Sequence, residues 1–170
     1  GDTIEARSKE DKVPYDKWAQ RGLITLCPGN KVDYRYVTEW FQQMKDEYGI
    51  IGYWTGYDSW NSPAWVEDME NRLGYKNKNN LLPVIMGAKT LSAPMKLLGA
   101  DLSSKDIVYD NNPLMKWALT NVAIETDKNE NIRPIKGKHQ RQRIDPAVAL
   151  IIAYTVLQNN LEDYKGLIGY

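Results

Sequence analysis

The chain has 170 residues, 42% of them apolar and 26% charged, so a single ordinary globular domain is the default and a disordered chain is excluded. Its 22 basic and 22 acidic side chains cancel, so affinity for a polyanion must come from a local excess of charge and not from the total. A lone cysteine, Cys27, rules out an internal disulfide and a cysteine-based metal cluster and is compatible with a reducing compartment; no apolar run reaches membrane-spanning length, and the polar N-terminus does not read as a secretory signal.

Residues 1–16 are polar, carry mixed charge and show no period, so they read as an arm. Leu23–Cys27 is a short β-type run closed by the turn signal Pro28-Gly29-Asn30. Asp33 can cap the next helix, whose apolar face is Val37, Trp40, Phe41, Met44 and Tyr48, and Gly49 ends it. Ile50–Tyr57 reads as a strand with Asp58 at its end. Ser62-Pro63 opens a helix carrying Trp65, Val66, Met69 and Leu73. Leu81–Met86 reads as a strand, with Pro83 near its start. A helix follows around Ser92–Leu102, then a strand at Asp106–Tyr109 and a helix opened by Asn112-Pro113. Residues 129–138 look like a hairpin or arm. The last helix starts at Asp145-Pro146 and is apolar almost all round, through Val148, Leu150, Ile151, Ile152, Tyr154, Val156 and Leu157, which marks it as buried. Residues 17–165 form the domain and 166–170 a tail. Strands alternating with helices imply an α/β fold with a mainly parallel sheet.

Asp58 follows an apolar strand, and sites in parallel sheets lie at the carboxyl ends of strands. The competing reading is a turn-forming Asp before Ser59-Trp60-Asn61. Asp145 stands between a buried helix and a cationic run, where a carboxylate can cap the helix or bind a metal. Arg133, Lys136, Lys138, Arg141 and Arg143 place five positive charges within eleven residues, with no acid among them. That suits a phosphate backbone, and it equally suits a solvated basic loop. His139 in the same run has no Cys or His partner for a zinc site. Gly87-Ala-Lys-Thr90 lacks the glycine spacing of a phosphate-binding loop. Trp18, Trp40, Trp65 and Trp117 fall at core-like spacings, whereas the residues around Trp60, beside Asp58, leave its role open.

Seven pieces occur in one order: Tyr15-x-x-Trp18-x-x-x-Gly22-Leu-Ile-Thr; Pro28-Gly29 with Asp33-Tyr34; Gly56-Tyr-Asp58; Leu91-Ser92-x-Pro94; Asn112-Pro113-Leu-x-x-Trp117-x-x-x-Asn121; Pro134-x-Lys136; and Arg143-Ile144-Asp145-Pro-Ala-Val148-Ala149. Together they make residues 2–157 resemble the C-terminal nuclease domain of tailed-phage terminase large subunits. The resemblance implies an RNase H-like mixed sheet flanked by helices, and metal-dependent cleavage of concatemeric double-stranded DNA at the start and end of packaging. Asp58 and Asp145 map to two of the family's acidic positions and would hold Mg²⁺ or Mn²⁺ in a two-metal site. The basic arm of Arg133, Lys136, Lys138, Arg141 and Arg143 would hold the DNA. The implied partners are an ATPase domain, a small terminase subunit and the portal, in the host cytoplasm and away from any membrane.

The family's first metal-binding Asp lies on an early strand, and Asp2, Asp11 and Asp16 stand in polar surroundings instead. The chain therefore reads as part of a longer protein, with an incomplete sheet whose edges are covered by its own arm or by a second copy. Weak or absent cleavage by this piece alone is expected. A resolvase- or integrase-type nuclease, and a non-enzymatic α/β binding module, are the competing readings.

Overall fold

A computed structural model describes residues 3–29, 31–60, 62–137 and 142–169. The chain divides into two compact units, Gly1–Ile51 and Gly52–Tyr170.

The first unit is helical among its described residues: α1 (Ile4–Asp11), α2 (Tyr15–Gln20) and α3 (Arg35–Tyr48). The polar stretch read as an arm is thus partly helix. Its start is fixed by Thr3, whose hydroxyl oxygen accepts the Ala6 N–H at 3.2 Å. Helices α1 and α2 pack on each other, with Val13 and Trp18 buried and Tyr15 meeting Trp18 edge-on at 5.9 Å. Leu23–Cys27 does not form the expected strand, since the described part of this unit offers no strand to complete a ladder. Helix α3 ends where the residues indicate, at Gly49 with φ 67°, but its N-cap is Tyr34 and not Asp33, which stands one residue earlier and accepts the Arg35 N–H at 3.0 Å. Trp40, expected in a core, is 50% exposed.

The second unit carries the strands. β1 (Thr55–Asp58) pairs in parallel with β2 (Leu81–Val84), in the register Thr55 opposite Leu81 and Asp58 opposite Val84. The crossover between them is α4 (Pro63–Leu73), opened by Pro63 and closed by Gly74 at φ 71°. Next come α5 (Ala88–Ser104) and α6 (Pro113–Thr120); the Asn112 side chain caps α6 by accepting the Leu114 N–H at 2.9 Å. β3 (Val122–Thr126) and β4 (Ile132–Lys136) form an antiparallel hairpin that begins earlier in the chain than expected. This hairpin pairs with itself and adds no strand to the β1–β2 pair, so it does not cover that pair's edges. Asp106–Tyr109 is not a strand either; Val108 there is 94% exposed. The chain closes with α7 (Asp145–Asn159) and α8 (Leu161–Ile168).

Helix α7 is the hub. It packs against α5, α6, β1 and β2, and its Ile151, Ile152, Tyr154 and Val156 join Val84, Leu91 and Leu98 in the main apolar cluster. It is not buried all round: Ala149 and Ala153 face outward. Strand β1 reaches α7 through a glycine. A Cβ on Gly56 would lie 2.6 Å from Ile152 Cγ2 and 2.7 Å from Val156 Cγ2, inside any tolerable contact.

Two outcomes follow from this packing. Gly56→Ala should lower stability by about 1–3 kcal/mol through overpacking, read from the urea midpoint; an unchanged midpoint would show that β1 does not lie tightly on α7. At the β3–β4 turn, Asp127 accepts hydrogen bonds from the Asn131 side chain at 3.0 Å and from the Asn129 and Asn131 N–H groups at 2.8 and 2.9 Å. Those bonds, the Asn131 side chain foremost, hold its carboxyl below the usual carboxylate value. A depressed folded pKa gives stability that is complete above the unfolded value of about 3.9 and is lost as pH falls through the folded one. The Asn129 and Asn131 amide shifts should therefore stay native at about pH 5 and move only in more acid solution.

Candidate active site

Asp58 ends β1 at the carboxyl edge of the parallel pair. The Ser59 N–H donates to the Val84 carbonyl at 3.3 Å, so the chain stays tied to β2 just past the strand. The Trp60 N–H then donates to Asp58 Oδ1 at 3.0 Å. That is the turn-forming use of Asp, and it also locks the carboxylate's orientation. Its other oxygen makes no hydrogen bond among the described residues. Asp58 is half-buried, whereas the Trp60 side chain on the same loop is 79% exposed.

Side chains alternate along a strand, so Gly56 and Asp58 share a face of β1. Gly56 presses on Ile152 and Val156, so this is the face turned to α7. On α7, Asp145 precedes Ile152 by seven residues, close to two full turns, and so lies on the same stripe of the helix. Ala149, seven residues before Val156 on that same stripe, is exposed as Asp145 is, so the two carboxylates stand on adjoining elements, Asp58 at the end of β1 and Asp145 at the open start of α7.

Asp145 does not cap its helix. The N-cap is Ile144, which has no side-chain oxygen, and Asp145 is itself the first helical residue. It is exposed, and it makes no side-chain hydrogen bond or ion pair among the described residues. No third acid joins the pair: among the described residues no group of three or more His, Cys, Asp or Glu side chains could hold a metal ion.

The basic run is divided by the fold. Arg133 stands opposite Glu125 in the hairpin and forms an ion pair with it, so its charge is partly neutralised by an acid distant in sequence. Arg133 and Lys136 are three apart on one strand and therefore point to opposite faces. Lys136 and Arg143 are exposed, and Arg143 stands two residues before Asp145. Lys138 and Arg141 lie outside the described residues.

Two polar features went unread in the sequence. Tyr154, counted there among the apolar residues, donates its hydroxyl to Asp101 across the α5–α7 contact. Burial first, then the Asp101 carboxylate, pushes the Tyr154 hydroxyl pKa up. Asn121, one residue of a longer motif, is buried beside the foot of the basic run. A small polar residue directly after an apolar helix was the available signal for it.

The family model for the terminase large subunit, endonuclease domain, matches residues 2–160. Protein YmfN of Escherichia coli K12 is 29% identical over 141 residues, covering 82% of this chain and 29% of the relative. The terminase large subunit of Enterobacteria phage HK97 is 23% identical over 167 residues, covering 96% of this chain and 31% of the relative. The crystal structure of the HK97 bacteriophage large terminase superposes with a TM-score of 0.78 at 23% identity, over 91% of this chain and 31% of that one. That likeness establishes the RNase H-like α/β fold expected from the sequence. The chain spans under a third of the length of the relatives it matches.

Because Asp145 caps nothing, Asp145→Ala should cost at most about 0.5 kcal/mol in unfolding free energy, well short of the loss of a working N-cap. A loss of about 1 kcal/mol or more would return the residue to a capping role.

Proposed function

Since the chain belongs to the terminase large subunit endonuclease domain family, we propose that it is the nuclease part of a viral DNA-packaging protein and cuts concatemeric double-stranded DNA. Asp58 and Asp145 are the residues that act. The observation that carries this reading is that they stand on two elements in contact, Asp58 at the end of β1 and Asp145 at the open start of α7, with Asp145 free of any capping bond among the described residues.

The donor set fits a hard divalent cation. Both groups offer carboxylate oxygens, the preferred ligands of Mg²⁺ and Mn²⁺. Among the described residues, Asp58 keeps one oxygen free of hydrogen bonds and Asp145 keeps both. When bound, such ions activate water and stabilise the charge that develops on a phosphodiester. The chain's own residues orient and neutralise. The Trp60 N–H holds Asp58 in one rotamer, and Lys136 and Arg143 offer exposed positive charge to the phosphate backbone. Arg133 contributes less while Glu125 holds it. Lys138 and Arg141, in the same run of sequence, add positive charge for the same backbone. With two acids in place of three, this chain alone binds the ions weakly, and full cleavage needs a further ligand from the longer protein. There the partners are an ATPase domain, the small terminase subunit and the portal, in the host cytoplasm.

A plasmid-nicking assay with Mn²⁺ on the intact protein tests the reading. Asp58→Ala and Asp145→Ala should each lower the rate about a hundredfold or more, the equivalent of about 3 kcal/mol of lost charge stabilisation. Linear duplex should be cut at least as well as branched DNA; the reverse preference would favour a resolvase-type nuclease. If both variants cut like wild type, the two acids are surface and turn residues and the proposal fails.

A further inference from the structure

We infer that Asn121 is a positioning residue that holds the root of the cationic arm and the start of the Asp145 helix in one place; this rests on the nuclease reading above. Asn121 follows α6 and is only 8% exposed. Its backbone carbonyl accepts the Gly137 N–H at 3.3 Å, one step beyond the Val122–Lys136 pair that ends the hairpin ladder. Its side-chain amide donates from Nδ2 to the Arg143 carbonyl at 3.1 Å. Gly137 and Arg143 are the two feet of the stretch that carries Lys138, His139 and Arg141. One buried residue therefore grips both feet. Between them the Gln142 side chain lies directly over Gly137, where any Cβ would collide with it.

The second grip matters because α7 has no cap of its own. An N-cap Ser, Thr, Asp or Asn ordinarily fixes a helix entry through its side-chain oxygen. Here that position is Ile144, whose side chain is buried instead. The first internal bond of the helix runs from the Val148 N–H to the Ile144 carbonyl at 2.9 Å, which leaves the Arg143 carbonyl outside the ladder. Asn121 satisfies that carbonyl from another element. Asp145 is two residues further on, and among the described residues nothing holds its carboxylate directly. Its position is that of its backbone, and the backbone is tethered by Asn121. A ligating group must be held within about 0.5 Å of its productive place, and outer groups that hold ligands are worth about 10–100-fold in metal affinity.

The test uses Asn121→Asp in the intact protein. The substitution keeps the size and the backbone bond to Gly137 but turns an oxygen toward the Arg143 carbonyl. Mn²⁺ affinity by calorimetry should fall about tenfold or more. Exchange of the Val148 amide should quicken more than that of the core amide of Ile152, and the thermal midpoint should fall, since a buried carboxyl then faces the Arg143 carbonyl. A folded variant with wild-type Mn²⁺ affinity and wild-type Val148 exchange overturns the inference. Should the variant not fold, the wild-type protein decides. The side-chain amide protons of Asn121 should be protected from exchange, and added Mn²⁺ should broaden them along with the Arg143–Val148 amides. Free exchange, or no broadening, overturns it. If Asp145→Ala leaves Mn²⁺ binding and nicking intact, the nuclease reading has failed. If Asp145→Ala abolishes both and Asn121→Asp changes neither, only this inference has failed.

Discussion

The contact of Gly56 with the Ile152–Val156 face of α7 is the constraint on which the candidate site depends. Two four-residue strands, paired with each other as a two-stranded sheet among the described residues, are marginal. They are held because one of them lies flush on a helix that also packs against α5 and α6. A side chain at position 56 would push β1 away from that helix and carry Asp58 with it. Close packing therefore does more than stabilise the unit: it fixes the place of β1, and so of Asp58 at its end, against α7. The same arrangement explains why a rigid strand end and a helix start, rather than two loops, present the acids.

The two readings of Asp58 are compatible. The Trp60 N–H occupies one oxygen and thereby fixes the turn. A carboxylate has about four lone-pair sites, so a single accepted hydrogen bond leaves ligating capacity in place. Asp145 differs in kind. It is the first residue of α7, at the positive end of the helix macrodipole. One acid is oriented by a local hydrogen bond and the other by the path of the backbone into its helix.

Charge is arranged locally in a chain that is neutral overall. The Glu125–Arg133 pair spans the hairpin in direct register, where opposite charges add modestly to strand pairing. It also removes one member from what looks in the sequence like an uninterrupted positive run. The strand pleat then separates Arg133 from Lys136, so these two charges do not act as one face. Steering of a polyanion depends on that local density, within a screening length of about 8–10 Å.

Much of the helical framework was legible in the residues. Pro63, Pro113 and Asn112 mark helix starts, and Gly49 and Gly74 mark ends, because these residues act through their own backbone and nearest neighbours. Both candidate acids were also legible, Asp58 from its place after an apolar run and Asp145 from the junction of charge and apolar helix. What a strand pairs with is not a local property. Leu23–Cys27 and Asp106–Tyr109 have strand-like composition and no ladder, while the polar residues of α1 form a helix. Tertiary structure alone decided that Gly56 meets α7, that Glu125 reaches Arg133 and that Asn121 grips Arg143. Each joins residues distant along the chain, or turns on which face of an element meets a neighbour, and no pattern of nearby residues encodes that meeting.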